Sequence, residues 1–186
     1  MALKATIYKA LIQVSDLDRN HYDDHNLTIA RHPSETDERM MVRLLAFALN
    51  APPNNDRGYL EFGKDLWDPD EPPLWRKDLT GLLVDWIEVG HPDEKQLLRV
   101  SSRCERVVVY CFSASSPQWW AGMAGKLQRA QNLTVWQVPA EQSEALAALA
   151  KRSMDLQVTL QEGSIWVGCG DQSVEITLSC LFGAAD

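Results

Sequence analysis

The 186-residue chain contains no CxxC pair, no Walker motif, no nucleophile elbow and no internal repeat. None of its apolar runs approaches the ~20 residues needed to span a membrane. These absences set aside thiol-disulfide exchange, P-loop nucleotide hydrolysis, serine hydrolysis, solenoid architectures and integral-membrane function. Cations are also scarce, with 18 Lys and Arg against 26 Asp and Glu, a formal net charge of −8 and a pI of about 5.0. Such a chain has no global attraction to nucleic acid or anionic lipid, so any DNA or RNA contact must be made through a local basic cleft. The opening "MALKATIYKALIQV" is interrupted by Lys4 and Lys9 and lacks an apolar h-region, which predicts a cytoplasmic protein. The four cysteines are then expected to be reduced structural thiols, with Cys111 inside an apolar strand.

What is present reads as one domain, residues 1–186, of mixed α/β (α+β) organisation. Residues 5–14 alternate as a strand, and "NLTIARHP" forms its return partner. "SETDERMMVRLLAFAL" is the first strong helix, with Ser34 as N-cap and Asp37 in the capping-box position. "YLEFG" predicts a strand, and the Asp- and Pro-rich residues 64–73 a loop. "DLTGLLVDWIEVGHPDEK" runs from strand into helix. Strands at "RVVVYCF" and "NLTVWQVP" then alternate with helices at "SPQWWAGMAGKLQRA" and "AEQSEALAALAKR", and residues 155–178 form a closing meander.

Several local patterns have ordinary explanations. "HYDDH" holds His21 and His25 at the i, i+4 spacing of a helical zinc site, but Tyr22 follows the first His, and the polar setting favours a solvated turn. "SASSPQWW" follows a strand and opens a helix, which suits a phosphate cradle, although serine before proline is also a common N-cap. Trp67, Trp75 and Trp86 lie close in sequence and offer stacking platforms for bases, against the commoner use of tryptophan in cores.

Two acids fall on apolar faces. If "LLVDWIEVG" is a strand, Trp86, Glu88 and Gly90 share one face, and Asp85, Ile87 and Val89 take the other. On the helix beginning at Ser34, Glu38 shares a stripe with Met41 and Leu45. A carboxylate in such surroundings needs a partner. Arg39, Arg43 or Arg76 could neutralise both acids, or a cation could bind them.

"ARHPSETDERMMVRLLAFAL", "DEPPLW" and "DWIEVGHPDEK", with the opening "MALKATIYKA" and the later "NLTVW", resemble the YaeQ family of small bacterial proteins along nearly the whole chain. The resemblance implies a variant of the restriction-endonuclease-like fold, a PD-(D/E)XK core with flanking helices and terminal β-hairpins, and hence a magnesium-dependent, nuclease-like or nucleic-acid-processing protein. By that resemblance Glu38 is the helix acid, Asp78 the hairpin acid and Glu88 the strand acid; Asp78 and Glu88 would hold Mg²⁺ while Glu38 holds an outer-shell water or the lysine. Gly90 occupies the usual lysine slot, leaving Lys95 to reach back from the next helix. A tight turn at Thr80-Gly81 would leave Asp78 about 17 Å along the strand from Glu88, making Glu61 the substitute ligand, whereas a wider turn would join them. The displaced lysine and the acidic pI keep open a non-catalytic binding or regulatory protein on a degenerate nuclease fold, and neutralised acids in a purely structural domain would explain Glu38 and Glu88 equally well.

Overall fold

The computed structural model describes residues 3–183. In chain order the strands and helices are β1 (Thr6–Asp16), β2 (His21–Arg31), α1 (Asp37–Asn50), β3 (Leu60–Phe62), β4 (Leu74–Lys77), β5 (Leu83–Val89), α2 (Glu94–Ser101), β6 (Arg106–Cys111) and α3 (Ser116–Ala121). They continue with β7 (Leu133–Gln137), α4 (Ala140–Ala147), β8 (Ser153–Gln161), β9 (Ser164–Cys169), β10 (Gln172–Ile176) and β11 (Ser179–Phe182). The result is a mixed α+β protein with two mixed sheets, in agreement with the expected class. The described residues group into two compact units, one from the chain up to Ala48 plus Glu141–Thr177, the other from Leu49–Ala140 plus the segment from Leu178.

The first unit carries a five-stranded sheet in the order β10-β9-β8-β1-β2. Strand β1 runs antiparallel to β2 and parallel to β8, and alternates so that Tyr8, Ala10, Ile12 and Val14 are buried. Both residues of the Glu162-Gly163 turn have positive φ, the geometry of a type I′ hairpin joining β8 to β9. "HYDDH" is part of β2 rather than a solvated turn, because the chain reverses earlier, over residues 17–20, with Asn20 at φ 52°. Its inner face runs His21, Asp23, His25, Leu27, Ile29, and polar residues on both faces hide the alternation. Four residues along a strand span about 13 Å, so the two histidines cannot ligate one ion.

Helix α1 buries Met40, Met41, Leu44 and Leu45. It starts later than its sequence suggests. Thr36, not Ser34, is the cap: Thr36 Oγ1 accepts from Arg39 N at 3.1 Å, while the Ser34 hydroxyl is engaged with His32 Nδ1 at 2.6 Å. Moving the cap places Glu35 inward, where it is buried and receives Arg43 Nε at 2.7 Å, Arg43 Nη2 at 2.6 Å and Arg39 Nη1 at 2.9 Å. Thr36→Ala is therefore expected to cost about 1 kcal/mol in urea unfolding and Ser34→Ala almost nothing; the reverse order would restore Ser34 as the cap.

In the second unit the sheet order is β11-β7-β6-β5-β4-β3. Strands β5, β6 and β7 are parallel and joined through α2 and α3, while β3, β4 and β11 add antiparallel edges. Strand residues Trp86, Val107, Val109, Leu133 and Val135 pack with Leu97 and Val100 of α2 and Trp120 of α3 in one apolar cluster. The helix expected over "SPQWWAGMAGKLQRA" stops at Ala121, where Gly122 caps it; a 3-10 turn (Ala124–Lys126) containing Gly125 follows. Two glycines in so short a run remove the propensity that the apolar spacing suggested. All four cysteines are free, and burial pushes the Cys104 thiol up to about 11, which keeps it protonated.

Candidate functional site

The hairpin β4–β5 turns tightly. Asp78 N donates to Leu82 O at 3.0 Å, Gly81 N donates to Asp78 O at 3.0 Å, and Gly81 supplies the positive φ of 86° that the reversal requires. The Asp78 carboxylate organises this turn: its Oδ1 accepts from Thr80 N at 2.8 Å, Thr80 Oγ1 at 2.6 Å and Leu82 N at 3.0 Å. These hydrogen bonds, the Thr80 hydroxyl foremost, hold its pKa below the ordinary carboxylate value. Register continues with Lys77 opposite Leu83 and Arg76 opposite Asp85, which leaves Val84 as a bulge.

Glu88 lies near the other end of β5, on the face shared with Trp86, and is only 6% exposed. Its Oε1 accepts from Trp86 Nε1 at 2.8 Å and from Gln96 Nε2 at 2.7 Å. The second donor comes from α2, whose N-cap Asp93 accepts from Gln96 N at 2.7 Å. Asp93-x-x-Gln96 has the residue types of a capping box, yet the glutamine side chain turns to Glu88 instead of back to the cap. The α2 side chain that meets Glu88 is thus Gln96; Lys95, one position earlier and about 100° around the helix, is exposed.

The remaining acids occupy separate places. Six residues separate Leu82 from Glu88, so Asp78 stands about 20 Å along the strand from Glu88, too far to share an ion with ligand bonds of about 2.1 Å. Glu61 pairs with Trp75, which pairs with Trp86, so it looks to the same face as Glu88, but it is exposed and, two strands across and two residues along, about 12 Å away. Glu38 belongs to the first unit, where Ser143 Oγ of α4 donates to its Oε1 at 2.6 Å. Among the described residues no group of three or more His, Cys, Asp or Glu side chains is placed to hold a metal ion.

The arginines considered for Glu38 and Glu88 include partners of two further acids. Arg39 and Arg43 bind Glu35, and Arg76 Nε donates to Asp85 Oδ2 at 2.6 Å. Asp85, 1% exposed, also receives Arg106 Nε at 2.7 Å; Arg106 Nη2 reaches Asn50 Oδ1 at 3.1 Å, and Asn50 Nδ2 donates to Tyr110 Oη at 2.8 Å. The most deeply embedded acids are therefore Glu35 and Asp85. A signal for the first was available, since Glu35, Arg39 and Arg43 are spaced i, i+4, i+8.

"SASSPQWW" is neither a side-chain cap nor a phosphate cradle in form. Ser115 stands at the cap position without a side-chain cap bond, and Ser116 Oγ accepts from Ser113 N at 3.1 Å and bonds His91 Nε2 at 2.8 Å. The His91 ring stacks on Trp119 with centroids 4.8 Å apart, and its burial lowers its pKa.

A cavity of about 540 Å³ opens within the second unit beside the hairpin. It is lined by Trp75, Lys77, Leu83, Trp86, Arg99 and Arg103. The two indoles meet edge to face, 6.0 Å between centroids at 77°, and Lys77 Nζ sits 3.6 Å from the centre of the Trp75 ring. Asp70, also on the lining, is 3.4 Å from Arg99. Three cations against one acid make this a locally positive site on a chain of net charge −8. Of Trp67, Trp75 and Trp86, the last two line this cavity, Trp86 as a core residue only 4% exposed; local spacing does not reveal the cations, because Arg99 and Arg103 reach the hairpin only through the packing of α2.

The YaeQ protein family matches residues 1–178. The uncharacterized protein YaeQ of Escherichia coli (strain K12) is 42% identical over 181 residues, covering 96% of this chain and 97% of that protein. The crystal structure of the YaeQ protein from Xanthomonas axonopodis pv. citri is similar at a TM-score of 0.91 and 42% identity, covering 97% of this chain and 100% of that one. That of the Pseudomonas syringae YaeQ protein gives 0.89 and 37%, covering 97% of each chain.

Proposed function

The chain belongs to the YaeQ family, and from that premise we propose that it acts as a non-catalytic nucleic-acid-binding protein on a degenerate restriction-endonuclease-like fold. The observation that carries this reading is the division of labour among the acids. Asp78 spends Oδ1 on the hairpin turn, while Glu88, about 20 Å away along the strand, is held by Trp86 and Gln96. A two-carboxylate magnesium site needs both on one ion, with a cation near the scissile phosphate. Gly90 supplies no charge at the strand position and Lys95 is exposed. Binding, by contrast, needs only local positive potential, which Lys77, Arg99 and Arg103 provide.

The test compares wild type with Glu88→Ala, purified identically, on single- and double-stranded DNA and RNA with Mg²⁺ and with Mn²⁺. Neither protein is expected to cleave. Metal-dependent cleavage by wild type that disappears in Glu88→Ala would overturn the proposal and return Glu88 to a magnesium-ligand role.

A further inference from the structure

From the cavity beside the hairpin we infer a binding site for one unstacked nucleotide, its base on Trp75 and its phosphate among Lys77, Arg99 and Arg103. The inference rests on the binding reading above and names the chemistry of its ligand. Four features converge. The volume, about 540 Å³, lies within the range of small-ligand sites, ~300–1,000 Å³. Trp86 is fixed by its Nε1 bond to Glu88 and lies at 77° to Trp75, so the pair forms a preset aromatic corner. The face of Trp75 already attracts a cation, since Lys77 rests over it. Arg103 makes no ion pair or side-chain hydrogen bond among the described residues, and Arg99 meets only the exposed Asp70, at 3.4 Å. Guanidinium forks suit phosphate oxygens, and a solvated partner at that distance holds Arg99 weakly.

Occupation follows as an exchange. A base laid on Trp75 takes the ring face from Lys77, and the displaced ammonium moves to the phosphate that enters with the base. Both halves of the ligand are needed, since a bare anion leaves Lys77 on the indole and a neutral aromatic leaves the arginines without a partner. A duplex is excluded because its bases are paired and stacked. A free mononucleotide and an unpaired position in a strand present the same chemistry.

Binding of the full chain is measured in EDTA, by calorimetry with AMP and by anisotropy with labelled oligodeoxythymidylate, its complementary duplex and inorganic polyphosphate. AMP or the single strand, or both, should bind, with the duplex and polyphosphate weaker. AMP binding places a free nucleotide in the site, and single-strand binding alone places a strand position there. Trp75→Leu should weaken binding about tenfold by removing the stack. Arg103→Gln, at an exposed position outside the core, should flatten the log-log salt dependence by about 0.7; circular dichroism and melting confirm that both variants are folded. Equal affinity for polyphosphate, binding unchanged in both variants, or no binding by AMP or single strand overturns the inference. The last result, with cleavage also absent, leaves the non-catalytic reading standing for another ligand. Nucleotide binding in EDTA together with Glu88-dependent cleavage in Mg²⁺ would keep the site and overturn that reading.

Discussion

Glu35→Ala is expected to lower the free energy of unfolding by about 3–5 kcal/mol, the range for removing one member of a buried ion pair. The Glu35 side chain is 1% exposed and that of Arg43 4%, so the guanidinium left behind has almost no access to water. Its Nη2 bond to Ala30 O at 3.1 Å persists but supplies no countercharge. Arg39, 16% exposed, loses its Nη1 bond to Glu35 Oε1 at 2.9 Å. Glu38→Ala is the comparison. It removes one hydrogen bond from Ser143, worth about 1 kcal/mol. Urea unfolding of the two variants separates the acids: equal losses would mean that Glu35 is not the electrostatic anchor of this unit. Adding Arg43→Met to Glu35→Ala should recover part of the loss, since it removes a buried guanidinium that has lost its two bonds to the Glu35 carboxylate.

That contrast also shows where sequence pattern carries information and where it stops. Helical periodicity placed Met41 and Leu45 inside, and both are buried. The same periodicity placed Glu38 beside them, where it meets Ser143. It misses Glu35, because Ser34 reads as the cap in sequence, whereas the cap at Thr36 leaves Glu35 ahead of the helix and buried against Arg43. Strand alternation correctly separated Glu88 from Asp85, yet gave no reason to prefer Asp85 as the charged centre, since its two arginines arrive from other strands. Arg76 depends on the bulge at Val84, and Arg106 on the parallel register of β5 with β6. Neither register is written in local spacing. The candidate site follows the same rule. Its tryptophans stood out as a cluster, while its cations come from a helix whose placement depends on the apolar packing of Leu97 and Val100. β11 shows the limit for topology, because its four residues continue the closing meander in sequence and yet pair with β7 in the other sheet.

Asp85→Ala is expected to be the second large loss, about 3 kcal/mol, near the lower end for a buried ion pair. Three strands meet at this carboxylate, with Arg76 and Arg106 directly opposite it in register on either side. Each arginine offers its Nε to a different oxygen, 2.6 Å to Oδ2 and 2.7 Å to Oδ1, so one acid holds two positive charges apart. Alanine leaves both guanidinium groups facing each other across β5 with nothing between them. The two do not suffer equally. Arg76 is 17% exposed and stays trapped, whereas Arg106 is 47% exposed and can recover hydration, which keeps the loss below that of Glu35→Ala. Arg106 also orders Asn50, whose amide donates to the Tyr110 hydroxyl, so the loss should extend along that chain of hydrogen bonds. Asp85→Asn distinguishes charge from shape. Asparagine keeps the volume but can accept at only one atom, and should retain less than half of the wild-type contribution. Arg106→Ala should cost under 1 kcal/mol, as expected for a half-exposed partner. Chemical unfolding of the three variants gives the order Asp85→Ala, Asp85→Asn, Arg106→Ala; a loss in Arg106→Ala as large as in Asp85→Ala would show that the outer arginine, not the central acid, holds the strands together.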